Sequence, residues 1–194
     1  MTNDITIRAA FHKKKLASAH TCTDTLVIDE LGLAHAKARI DIATINGCIH
    51  GYEIKSDADT LARLSKQIEI YKATLQKLTI VCAEKHVQHS IKIAPSWVGI
   101  VSVSRGVRGA VIFRTVRKPQ MNPEVNAKAL AHLLWRSEAL DIVTEITNSK
   151  AHKYDTRAKL YDVISERLSI SEITNRIKLA MFSREDWRDL LPPC

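Results

Sequence analysis

An Asn46-Gly47 dipeptide set between two apolar runs constrains this chain more than any other feature. Both residues tolerate positive φ, and flanked in this way they are the strongest short-range signal for a hairpin. The stretch from Ala38 to Lys55 therefore reads as two antiparallel strands. Side chains alternate along a strand, so Glu53 and Lys55 share one face and Ile54 points to the other. Ile40 and Ile42 likewise point away from Asp41. Two carboxylates and a lysine thus emerge from an otherwise apolar hairpin. Charge buried in that way is costly unless something pairs it, and a divalent cation is the natural partner.

Register decides whether these groups meet. A two-residue turn would pair Ile45 with Cys48, set Asp41 opposite Tyr52 and leave Glu53 on the other face. A three-residue loop, Ile45-Asn46-Gly47 with Gly47 as a left-handed bulge residue, pairs Thr44 with Cys48 instead. Asp41 then faces Gly51 and lies diagonal to Glu53 on one face, with the missing side chain of Gly51 leaving room for an ion. The three-residue loop is the expectation.

The spacing of Asp41 and Glu53-Ile54-Lys55 resembles the core motif of the PD-(D/E)XK nuclease superfamily, in which the Asp and Glu hold a metal. Gln67-Ile68-Glu69-Ile70-Tyr71 is similar to the Gln-x-x-x-Tyr motif of its RecB-like branch, and Glu30 fits the superfamily's additional acidic residue. Ile40 stands where the superfamily's name has proline. The resemblance covers roughly residues 5–116. The wider pattern also resembles a family of small bacterial proteins that share the Glu-Leu-Gly-Leu and Glu-Ile-Lys-Ser-Asp segments, which adds no activity.

The resemblance implies an α/β fold with a restriction-endonuclease-like core, a mixed central sheet flanked by helices, over residues 1–120, and a helical extension packed on it over 121–194. It implies a metal-dependent deoxyribonuclease. Mg²⁺ or Mn²⁺ would be held by Asp41, Glu53 and the main-chain carbonyl of Ile54, with Glu30 completing the carboxylate shell. Lys55 would orient the attacking water or stabilise charge on phosphorus. Gln67 and Tyr71 would position Lys55 or the substrate phosphate. The alternatives are a catalytically inactive nucleic-acid-binding or regulatory module on the same fold, and a structural protein whose charged hairpin is incidental.

Composition sets wider bounds. At 194 residues, 45% apolar and 26% charged, the chain suits one soluble domain, or one with an appended helical piece. No apolar run approaches the ~20 residues that span a bilayer. Lys13-Lys14-Lys15 interrupts any signal core, so a cytoplasmic location is expected. Cys22, Cys48, Cys82 and Cys194 are scattered without metal-ligand spacing, and Cys48 and Cys82 read as core thiols. Walker, nucleophile-elbow and zinc-helix motifs are all missing, which argues against those hydrolases.

The net charge of +8 is unevenly placed. Residues 1–60 carry seven Lys/Arg against eight Asp/Glu, and the remainder twenty-two against thirteen. An acidic hairpin beside a basic surface suits a protein that grips phosphates. DNA is the expected partner, with RNA left open, no membrane, and a homodimer or protein partner compatible with the size. Between Arg105 and Lys118 stand Arg105, Arg108, Arg114, Arg117 and Lys118 and no acid. They read equally as a finger that grips the nucleic-acid backbone or as an exposed hairpin blunted by charge against edge pairing. The Lys13–Lys15 run reads first as a solvated face.

Periodicity supplies the remaining elements. Residues 5–18 read as a helix with Ile7, Ala10 and Phe11 inside, and Asp24–Leu33 as a strand with Glu30 on the parity of Leu26 and Ile28. Asp59 is the expected N-cap of a helix running through Leu61, Leu64, Ile68, Tyr71, Leu75 and Leu78. Strands follow at Leu78–Ala83, Trp97–Val103 and Ala110–Val116, the last two joined by a turn whose Gly106 and Gly109 permit positive φ. His86 and His89 read as surface residues. Asn122-Pro123 marks the start of the helical part, and Ser169–Glu172 a capping box. A last short turn contains Trp187 and ends at Pro192-Pro193.

Overall fold

The computed structural model describes residues 2–184. The expected last turn, with Trp187 and Pro192-Pro193, lies outside them, as does Cys194. Three antiparallel strands, β1 (Leu26–Leu33), β2 (Ala38–Ile45) and β3 (Ile49–Lys55), form one half of a six-stranded mixed sheet. β4 (Lys77–Ala83) and β5 (Gly99–Arg105) continue it in parallel, and β6 (Val111–Arg117) returns antiparallel to β5. Spatial order follows chain order throughout.

Each face of the sheet carries its own apolar cluster. On one, α1 (Asp4–Lys15) sets Ile7 and Phe11 against Ile42, Ile54, Val81, Val101, Val103 and Val111. On the other, α3 (Leu64–Thr74) and α4 (Val87–Ile93) pack on Ile40, Ala43, Ile80, Cys82 and Ile100. That second cluster extends into α5 (Ala127–Ala131), α6 (Arg136–Thr147), α7 (Arg157–Arg167) and α8 (Ile170–Phe182), through Leu130, Val143, Leu160 and Ile177. The α/β class with a mixed sheet between helices is therefore present. None of the helices among the described residues is long and apolar enough to cross a membrane.

Several local expectations are displaced by tertiary partners. The first helix breaks at Leu16, whose amide bonds back to Phe11, and a short α2 (Ala17–Thr21) follows. Asp59 does not cap α3; its carboxylate accepts from the Ser56 amide and hydroxyl at 2.7 and 2.6 Å. α3 starts at Leu64 and ends at Thr74, so Leu61 precedes it and Leu78 lies in β4. Asn122 does not open the helical part either. Its amide donates to the carbonyls of Lys72 and Leu75 at the end of α3, both at 2.7 Å, and Asn126 caps α5. The Ser169–Glu172 capping box forms as expected. In the β5–β6 loop, Arg108 and Gly109 hold positive φ and Gly106 does not.

Candidate functional site

The hairpin loop has three residues but sits one position later than expected. Ile45 pairs with Ile49, Thr44 with His50 and Ala43 with Gly51, leaving Asn46, Gly47 and Cys48 as the loop. Thr44 therefore does not pair with Cys48, and Cys48 is a half-buried loop residue rather than a strand thiol. This register brings Asp41 level with Glu53. Gly51 leaves no space for an ion, because a Cβ there would meet Leu75 Cδ1 at 2.5 Å and Ile40 Cγ1 at 3.0 Å. Its lack of a side chain admits the core.

Glu53 turns toward α3 and is 2% exposed. Its Oε1 accepts from Lys55 Nζ and from Gln67 Nε2, both at 2.7 Å, and its Oε2 lies 2.7 Å from the Tyr71 hydroxyl. The same hydroxyl lies 2.9 Å from the Arg39 carbonyl and 3.2 Å from Gln67 Nε2. Burial, and then the charge of Glu53, push the Tyr71 phenol well above its ordinary range. The four expected residues Glu53, Lys55, Gln67 and Tyr71 are thus brought together, as a closed network in which Lys55 neutralises Glu53 directly.

Asp41 turns toward α1 instead. Its Oδ2 accepts the Ile54 amide at 2.6 Å, capping the ladder where β2 and β3 part. Its Oδ1 and its carbonyl accept from Arg8 of α1, at 3.2 and 2.7 Å. Glu30 follows it there. A φ of 57° at Glu30 shifts the strand's parity, so Leu26 and Ile28 and then Leu31 and Leu33 all serve one cluster. Glu30 drops out of that alternation, and its carboxylate meets Arg8 at 2.7 Å. Asp4 and Asp29 stand 3.4 and 3.9 Å from the same guanidinium. Burial lowers the pKa of Arg8, but the four carboxylates outweigh it and the net shift is upward. Burial, then the neighbouring charge of Glu53, raise Asp41 to about 7.

Sequence reasoning did not find Arg8. The available signal was its position in an Asp4-Arg8-His12 row, four residues apart and hence on one helix face beside Ile7 and Phe11.

These residues do not fit a bound metal. The oxygens of Glu53 are taken by three side-chain donors, and those of Asp41 by the Ile54 amide and a guanidinium. Glu30 is held by Arg8, away from Glu53. Among the described residues, no group of three or more His, Cys, Asp or Glu side chains could hold a metal ion.

The basic hairpin divides. Arg117 is structural: its Nε donates to the Val98 carbonyl at 2.6 Å and its Nη2 to the carbonyls of Pro95 and Ala94 at 2.9 and 3.3 Å. Arg105, Arg108, Arg114 and Lys118 are exposed. Lys14, at the end of α1, donates to the Val111 carbonyl at 2.7 Å, and Val111 is paired with Arg105. The lysine run and the hairpin tip therefore share one corner of the molecule. The sequence held both runs but no sign that they meet.

A profile of the bacteriophage P4 protein cII family matches residues 3–187. The chain belongs to that family. Protein cII of Enterobacteria phage P4 is 32% identical over 153 residues, covering 78% of this chain. The matched region spans 56% of that relative's length. No solved structure matches. Membership of the cII family replaces the expected membership of the PD-(D/E)XK superfamily. With it falls the expectation of a metal-dependent deoxyribonuclease, together with its hydrolase and metal-binding attributes. The closed Glu53 network and the Arg8-bound Asp41 give the physical side of that correction.

Proposed function

We propose that this cII-family chain is a non-catalytic module that binds DNA through its phosphate backbone and exerts a regulatory effect by occupancy. One observation carries the reading. Lys13, Lys15, Arg105, Arg108, Arg114 and Lys118 are exposed, and none has an ion-pair or hydrogen-bond partner among the described residues. The buried charges of the hairpin, by contrast, are all matched internally. Lys13, Lys15, Arg105 and Arg108 gather at the corner where α1 meets the β5–β6 turn, and Arg114 and Lys118 continue the exposed charge along β6; on a chain with net charge +8 this is the electrostatic footprint of a phosphate-binding surface.

The order of elements supports a restriction-endonuclease-like scaffold over residues 1–120, because a helix, three antiparallel strands, a crossover helix and a parallel strand follow in turn. The four helices α5 to α8, from Ala127 to Phe182, extend it. Binding of this kind needs no carboxylate pair, and the Glu53 and Asp41 networks serve to rigidify the sheet that presents β6.

The test is a titration of a fluorescently labelled DNA duplex followed by anisotropy. Saturable binding that weakens steeply with salt, with the duplex recovered at full length, is the expected result. No binding at low salt would contradict the proposal.

A further inference from the structure

Far from the basic corner, on the β1 side of the sheet, lies an open cavity of about 380 Å³ lined by His35, His132, Arg157, Ala158 and Tyr161. Three elements build it: the β1–β2 loop supplies His35, the end of α5 supplies His132, and the first turns of α7 supply the rest. Its rings cluster, tilted against one another, with centroids 4.4 Å apart for His35 and His132 and 5.0 Å for His132 and Tyr161. Tyr161 is buried and fixed by its hydroxyl, which donates to the Leu134 carbonyl at 2.8 Å. It is a rigid floor.

The loop that delivers His35 is strained for that placement. Ala34, His35 and Ala36 all hold positive φ, at 49°, 58° and 63°, and none is a glycine. Such a run is uncommon in L-residues and persists only where its surroundings impose it.

The charges here lack a counterpart. The His35 and His132 rings and the Arg157 guanidinium have no hydrogen-bond or ion-pair partner among the described residues. Lys37 and Lys128 stand close enough to act on His132; Lys128 is paired with Asp162. Burial, then the positive fields of His35, Lys128 and Lys37, hold the His132 imidazole below its usual range. A cavity whose lining gathers a guanidinium and two imidazoles without an acid is suited to an anion.

We propose that the His35–His132–Arg157 cavity binds a phosphate group. Arg157 offers a planar fork suited to phosphate oxygens, and each imidazole becomes a charge-assisted donor once an anion is present. The phosphate could belong to a free nucleotide or to a nucleic-acid chain, and the chemistry is shared. This site is independent of the basic corner proposed above to bind DNA, so either can fail alone.

Histidine ring signals of the full chain, followed by NMR at pH 6.5, provide the test. Inorganic phosphate, a nucleoside 5′-monophosphate and a short single-stranded oligonucleotide are titrated in separate arms at constant ionic strength, with chloride as the control. The expected result is a saturable shift of His35 and His132 with inorganic phosphate, and a rise in the titration midpoint of His132. Tighter binding by the mononucleotide identifies a small-molecule source, and tighter binding by the oligonucleotide a polymer. Arg157→Gln and His35→Asn lie at the surface and spare Tyr161. Arg157→Gln should weaken phosphate binding by about tenfold, as loss of a hydrogen bond from a charged group does. Shifts no larger than those with chloride in all three arms would overturn the proposal, as would unchanged affinity in Arg157→Gln.

Discussion

Asp41 accepts a hydrogen bond from the backbone amide of Ile54 at 2.6 Å, which closes the end of the β2–β3 ladder with a side chain. A strand residue acts there as a cap, and its carboxylate is held between that amide and Arg8. The environment favours the neutral acid nonetheless, since burial and Glu53 raise it to about 7.

The pH dependence follows. The folded chain retains a proton on Asp41 that the unfolded chain releases near pH 4, so stability from this group is fully present in acid. It declines as pH rises toward about 7, by at most about 4 kcal/mol. Asp41→Asn should remove that slope. Denaturation midpoints of both chains between pH 4 and 8 check this, and parallel curves would refute it.

Arg8 neutralises Asp41, Glu30, Asp29 and Asp4 at once while only 18% exposed. Arg8→Gln should destabilise the fold by about 2–3 kcal/mol at pH 7, as loss of one member of a partly buried charge network does. Part of the loss should disappear at pH 4, where Asp41, raised to about 7, is protonated and no longer needs the guanidinium's charge. Urea melts at the two pH values measure it.

Tyr71→Phe removes a hydroxyl from the Glu53 carboxylate and the Arg39 carbonyl. A cost of about 1–3 kcal/mol is expected, because a buried acceptor is left short of a donor. The same change at Tyr154, 88% exposed, should cost almost nothing. Comparing the two by thermal denaturation separates the network from the generic effect of losing a hydroxyl.

Gly51→Ala probes what fills the hairpin. A Cβ there meets Leu75 and Ile40, so a loss of about 1–3 kcal/mol is expected from overpacking. A neutral or stabilising result would mean that the site is open after all.

These residues also show what could be read from the sequence. Asn46-Gly47 marks the place of the hairpin correctly, but neither residue holds positive φ, so Gly47 is not the left-handed bulge residue that the sequence suggests. The hairpin's register was one position off, since that depends on Leu75 packing under Gly51 from across the fold. The apolar stripe beside Gln67 and Tyr71 is visible as a period, so their approach to the hairpin is legible, but the sequence aims them at Lys55 or a substrate phosphate, whereas both bond to Glu53. Arg8 was not, because its partner Asp41 is 33 residues away. Asn122 and Asn126 are alike as caps locally; the carbonyls of Lys72 and Leu75, set in place by α3, decide between them. The basic run of the hairpin was plain in the sequence, whereas the clamp made by Arg117 and the link from Lys14 to Val111 exist only in three dimensions.

The salt dependence of DNA affinity tests the central claim most directly. For the native chain, the logarithm of affinity should fall linearly with the logarithm of salt concentration. Replacing Arg105 and Arg108 with glutamine should reduce that slope by about 2, roughly one for each phosphate that is no longer neutralised. Lys55→Gln should leave it unchanged. An identical slope for the native chain and the double variant would contradict the account.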